Sequence, residues 1–98
     1  MKQISWEKDT FKLDLHGAYL RGTDLSNANL EGANLSGANF TDAIFRGANL
    51  KNAILKGTIL RGADLTNVKN LTRAQLETAI IDDRTQLPEL VADVAEAT

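Results

Sequence analysis

The sequence predicts an all-β solenoid, a chain wound into stacked parallel coils around one apolar shaft. Three observations predict it. Leucine or phenylalanine stands at every fifth position from Leu15 to Leu65, giving eleven consecutive units over residues 13–67. A small residue stands two places before it in ten of the eleven, Leu13 being the exception. Glycine, asparagine or aspartate stands two places after it in all eleven. A period of this kind decides a fold before local propensity is consulted.

The period excludes the regular elements. In an α-helix a step of five turns the side chain by about 140° net, which smears the set around the axis and leaves no buried stripe. In a flat strand successive side chains alternate faces, so an odd step sends every second leucine to the opposite side. A chain that bends once per unit buries them all. The small residue points in, the next out, the leucine in and the next out, and the fifth residue turns the corner. Corners demand unusual backbone angles, which glycine and then asparagine and aspartate tolerate. They read Gly17, Gly22, Asn27, Gly32, Gly37, Asp42, Gly47, Asn52, Gly57, Gly62 and Asn67, and all seven glycines of the protein fall there. Parallel crossovers are overwhelmingly right-handed, so a right-handed coil is expected.

These units, Ala33-Asn34-Leu35 and Ala38-Asn39-Phe40 among them, resemble the A(N/D)LXX motif of the pentapeptide repeat family, in particular its short bacterial, cyanobacterial members. The resemblance implies a right-handed quadrilateral parallel β-helix with four units per coil, here about three coils. Residues twenty apart then stack. The core ladder comprises Leu15, Leu35 and Leu55; Leu20, Phe40 and Leu60; Leu25, Phe45 and Leu65; and Leu30 with Leu50. Alanine or threonine at the other inward position keeps the walls close, since a larger group there would overfill the shaft.

A solenoid needs both ends covered. Residues 1–12 are expected to form an N-terminal cap, with Ile4, Trp6 and Phe11 as its plug. Residues 68–98 are expected to form a C-terminal cap and an acidic tail. After Leu65 the next large apolar residue is Leu71, a slip of one. Thr72 with Gln75 then reads as a capping box and Leu71 with Leu76 as a hydrophobic staple, predicting a short helix near 72–79. The same residues also read as two repeats in the shifted frame, Ala74-Gln75-Leu76 and Ala79-Ile80-Ile81, and the two readings are compatible if Ala79 resumes an edge. Beyond Pro88, Leu90, Val91 and Val94 make a weakly amphipathic stretch.

Charge and composition narrow the function. The formal charge is −2. The repeats are balanced, with five acids and five bases, whereas six acids and Arg84 alone follow from Glu77 onward. A nucleic-acid binder usually shows a basic face, and none is expected here. Without cysteine there is no thiolate chemistry. No stretch approaches the roughly 20 apolar residues of a membrane span. Charged residues among the first twenty argue against a signal peptide, and a cytoplasmic protein is expected.

No reactive constellation emerges. His16 is the one histidine and points outward, with no acid–histidine pair to build a triad. Asp24 and Asp64 share an outer column two coils apart, about 10 Å, too far to share a metal or a proton. Arg46, Lys51, Lys56 and Arg61 form a belt of single charges on successive sides, and Glu31 should neighbour Lys51. The residue before the central leucine is asparagine at 29, 34, 39 and 49, but Tyr19, Ile44, Ile54 and Ile59 depart from the motif. Ile54 and Ile59, on adjacent sides of one coil, are the candidate contact surface, for the C-terminal segment or a second copy.

The expected role is a non-catalytic structural or protein-interaction module with no cofactor. Its partner is expected to be another protein, with a homodimer as one form. The alternatives are a building block that stacks end to end and, by family resemblance, a DNA-mimicking gyrase-binding protein of the quinolone-resistance type. The latter needs a long acidic rod, and this repeat body is short and neutral.

Overall fold

The computed structural model describes residues 13–89. The expected plug of Ile4, Trp6 and Phe11 and the stretch from Leu90 onward lie outside them. The chain is a right-handed quadrilateral β-helix with a short helix at its C-terminal end. Each side contributes one bridged residue, and every bridge is parallel. The first side stacks Asp14, Asn34 and Ile54; the second Tyr19, Asn39, Ile59 and Ile80. The third stacks Asp24, Ile44, Asp64 and Gln86, and the fourth Asn29, Asn49 and Lys69.

The corners explain the glycine, asparagine and aspartate. Each is closed by the N–H of the next small residue donating to the preceding central carbonyl, as from Ala18 to Leu15 at 3.0 Å and from Ala53 to Leu50 at 3.1 Å. All eleven corner residues have φ between 59° and 72°, the third-position geometry of a type II turn. Between coils, Leu35 N–H donates to the Ile54 carbonyl and Asn34 N–H to that of Leu13, each at 2.9 Å.

The shaft is dry. Ala33, Leu35, Ala38, Phe40, Ala43, Ala48, Ala63 and Leu65 are fully buried, and Leu30, Phe45, Leu50, Leu55 and Leu60 nearly so. Leu15, Leu20 and Leu25 are half-buried and pack against this core from the first coil. The rings of Phe40 and Phe45 meet edge to face in the second coil, centroids 5.0 Å apart. Thr58 takes an alanine position and is fully buried. Its hydroxyl donates to the Leu35 carbonyl at 2.6 Å, which offsets the cost of burying it.

At the C-terminal end the period breaks. Val68 and Lys69 complete the fourth side of the third coil. Asn70, standing where a leucine is due, instead adopts φ 63° and inserts one extra residue, which delays the next inward leucine by one. Leu71 then enters the core and α1 (Arg73–Glu77) lies across the first side. Its capping box is complete: Gln75 N–H donates to Thr72 Oγ1, and Thr72 N–H donates to Gln75 Oε1. The helix is shorter than the 72–79 expected because the chain returns to the edge at Ile80, which bridges Ile59 at an offset of 21 residues. A second extra residue in the turn at Asp82–Thr85 makes the offset 22 where Gln86 meets Asp64. A partial fourth coil thus tops the three expected.

Candidate functional site

With the inner columns filled, whatever this molecule recognises meets the outward side chains. Those before the central residue have a local task. The side-chain oxygen of Asp14, Asp24, Asn29, Asn34, Asn39, Asn49 and Asp64 accepts the N–H two residues on, closing an Asx turn over the corner. Where that residue is serine or threonine its hydroxyl donates to the same oxygen, as from Ser36 to Asn34 at 2.7 Å and Thr41 to Asn39 at 2.6 Å. This reason for asparagine was open to sequence reasoning. Asp24/Ser26, Asn34/Ser36, Asn39/Thr41 and Asp64/Thr66 share the spacing.

Tyr19, Ile44, Ile54 and Ile59 cannot make that turn, and each is followed two residues on by Arg21, Arg46, Lys56 or Arg61. Both members of such a couple point outward, so an aliphatic or aromatic group lies beside a cation. Ile54 is 49% exposed. Ile59 is only half-buried, because Asn39 and Ile80 bracket it in its column.

One expectation about charge is corrected. Arg46 is not a lone belt charge: its Nε donates to Asp64 Oδ2 at 2.8 Å, since one coil separates them on the third side. Glu31 and Lys51 share a column as expected, without forming an ion pair. Asp42 joins two arginines, Arg21 at 3.5 Å and Arg84 at 3.2 Å, tying the first coil to the last turn.

An acid–histidine pair does exist. His16 Nδ1 lies 2.7 Å from Asp14 Oδ1. The pair is exposed, and Ser36 in the coil above turns its hydroxyl to Asn34 rather than to the imidazole. Several carboxyls titrate below their usual range. For Asp14 the His16 ring hydrogen bond is the main cause, for Asp24 the Ser26 hydroxyl. For Asp64 partial burial is the largest influence and raises the value. The bonds from Thr66 and Arg46 together outweigh it. Asp82 balances in the same way, burial against bonds from Gly62, Arg84 and Thr85. Among the described residues no cluster of His, Asp or Glu could hold a metal ion, and no helix is long and apolar enough to cross a membrane.

The sequence marks Gln75 for its capping box and within the shifted repeat Ala74-Gln75-Leu76, and it does more. Its Nε2 donates to the Leu50 and Ala53 carbonyls, at 2.8 and 2.9 Å, along the first-side edge that α1 covers. An open groove lies beside it at the corner before α1, lined by Lys51, Asn52, Asn70, Leu71, Thr72 and Arg73.

Comparisons with known proteins agree with this geometry. A pentapeptide repeat protein (Rfr23) from the cyanobacterium Cyanothece 51142 is 37% identical over 79% of this chain and 52% of its own, with a TM-score of 0.67. One from the Arabidopsis thaliana thylakoid lumen is 32% identical over 78% of this chain and 55% of its own, TM-score 0.54. QnrB1, a plasmid-mediated fluoroquinolone resistance protein, shares the fold at a TM-score of 0.69 but 17% identity, over 86% of this chain and 38% of its own. The chain therefore spans about half the length of the first two. No curated protein sequence matches it. The family model for pentapeptide repeats matches residues 14–52 and 43–83, eight copies in all. The chain belongs to the pentapeptide repeat family.

Proposed function

We propose that the chain is a non-catalytic protein-interaction module, a rigid rod that meets its partner with its sides. The observation that carries this is the filled shaft. Leu35, Phe40 and the alanines around them leave the interior no room for a small molecule. Asp14, Asp24, Asp42, Asp64 and Asp82 are individually committed to turns or ion pairs, and beside the Asp14–His16 pair the Ser36 hydroxyl is turned to Asn34. On this reading Ile54 and Ile59 belong to the contact surface. The partner is a protein rather than nucleic acid or membrane, and the setting is cytoplasmic.

End-to-end stacking is disfavoured on the first side, where Gln75 already occupies the Ala53 carbonyl that a further coil would need. The likeness to QnrB1 concerns fold alone and lends the gyrase reading no weight. The test is affinity capture of the full chain from its native host after cross-linking, with cell fractionation alongside. A protein recovered in stoichiometric amount from the soluble fraction supports the proposal. Turnover of a substrate by the purified chain, or inhibition of gyrase supercoiling, overturns it.

A further inference from the structure

The partial fourth coil leaves the C-terminal end of the shaft open on two sides. Ile81 stands one coil above Leu60 on the second side, and Leu87 one coil above Leu65 on the third, so each tops an inner column. Leu60 and Leu65 are buried, yet Ile81 is 39% and Leu87 41% exposed. The backbone there is open as well. In the second coil Leu35 and Phe40 donate their N–H groups upward, and the carbonyls of Ala33 and Ala38 accept from above. The equivalent N–H groups of Ile81 and Leu87, and the equivalent carbonyls of Ala79 and Thr85, have no partner among the described residues. The result is a two-sided strand edge with an apolar floor, of the kind that pairs with another chain unless it is covered.

We propose that residues 90–98 of the same chain fold back over this edge and close it, setting Leu90, Val91 and Val94 against Ile81 and Leu87. The proposal goes beyond the interaction-module reading above and does not depend on it. The path of the chain selects this occupant. The backbone leaves the ladder at the rim of the edge, where Pro88, next to Leu87, is buried and has no N–H to donate. The nine residues beyond Glu89 are long enough. Even fully helical they would span about 14 Å, against roughly 10 Å between facing sheets. They do not wind another coil, because the frame set by Leu87 puts bulky Leu90 at the small position and Ala92 at the central one. Being tethered, the segment meets the edge at a millimolar effective concentration, ahead of a second copy. Asp93 and Glu96 are then left for solvent.

The absence of cysteine supplies the test. Ala95→Cys carries a single spin label on the full chain, and nuclear magnetic resonance reads which amides it broadens. Hydrogen exchange is measured in parallel on the unsubstituted chain and on L90D/V94D, with circular dichroism establishing that each variant is folded. The expected result is broadening of the Ile81 and Leu87 amides within the labelled molecule. Exchange at both should be about tenfold or more faster in L90D/V94D, with the second coil unchanged. Broadening at Ile54 and Ile59 instead places the segment on the first and second sides and overturns the proposal. Broadening that passes from spin-labelled chains to unlabelled, isotope-enriched ones mixed with them makes the occupant a second copy and also overturns it. So does exchange at Ile81 and Leu87 that L90D/V94D leaves unchanged.

Discussion

The second coil and the C-terminal end hold themselves together in different ways. In the second coil main chain meets main chain along the stack: Leu35, Phe40, Phe45 and Leu50 donate upward, and Asn34, Asn39, Ile44 and Asn49 donate downward. At the C-terminal end side chains take over. Gln75 bonds the Leu50 and Ala53 carbonyls, Thr85 Oγ1 the Leu60 carbonyl at 2.8 Å, and Asp82 Oδ1 accepts from Gly62 N–H at 3.0 Å. The repeating part is fixed by a period that each unit shares; the end is fixed by single residues that have no substitute. A solenoid stops where amide, hydroxyl and carboxylate groups replace the next turn of backbone.

The largest effect should come from the repeating part. Phe40→Ala empties the middle of the shaft and removes the ring contact with Phe45, and should cost about 3–5 kcal/mol in chemical denaturation. A loss below about 0.5 kcal/mol would show that the side chain is not interior. At the end, Gln75→Leu keeps the bulk of the side chain but removes the side-chain partner of the Ala53 carbonyl and of Thr72 N–H and one of two bonds to the Leu50 carbonyl. The expected loss is about 1–3 kcal/mol, with hydrogen exchange accelerated at Thr72 and unchanged in the second coil. Uniform acceleration would erase the distinction between the two regions.

The corners sharpen it further. A Cβ on Gly57 would meet only the Gly37 backbone at 3.8 Å, whereas one on Gly47 would fall against the Asn27 amide oxygen. Gly57→Ala should cost about 1–2 kcal/mol for its left-handed backbone alone. Gly47→Ala should cost more, and the excess should vanish in an Asn27→Gly background, a coupling that a double-mutant cycle isolates. Asn39→Ala, which deprives Thr41 N–H and hydroxyl of their acceptor, should cost about 0.5–1.5 kcal/mol by thermal melting. Smallest is the pH response. Asp64 and Asp82 titrate low when folded, so their contribution is present above the unfolded value of about 3.9. It is lost as pH falls through the folded one. Melting temperature should therefore drop on acidification below about pH 4, and Asp82→Asn should blunt the drop at the C-terminal end.

The fold was legible because one constraint repeats. Eleven corners and their leucines fit no other geometry, and Thr72, Gln75, Leu71 and Leu76 announced the helix locally. What escaped reading needed register. Arg46 meets Asp64 only once coils are stacked. The extra residue at Asn70 showed as the slip from Leu65 to Leu71, but the one in the turn at Asp82–Thr85 leaves no mark in a local window, because aspartate is an ordinary corner residue. Gln75 was visible as a cap, but its grip on Leu50 and Ala53 depends on where the third coil ends. The exposed couples were legible as departures from the motif, while which of them share a side required the four-unit register.

The Asn27 amide lying over Gly47, and the Asp42 carboxylate over Gly62, bear on how such an array can change length. Excising the single unit 43–47 would rotate everything above it by a quarter turn. Asn52 would then land on Asn27 and Asn67 on Asp42, so branched corners would collide where bare ones now fit. Removing one whole coil, 43–62, would likewise put Asn67 on Asn27. Only a step of two coils keeps a bare corner against each branched one, so ancestral duplications in this lineage are expected to come in multiples of forty residues.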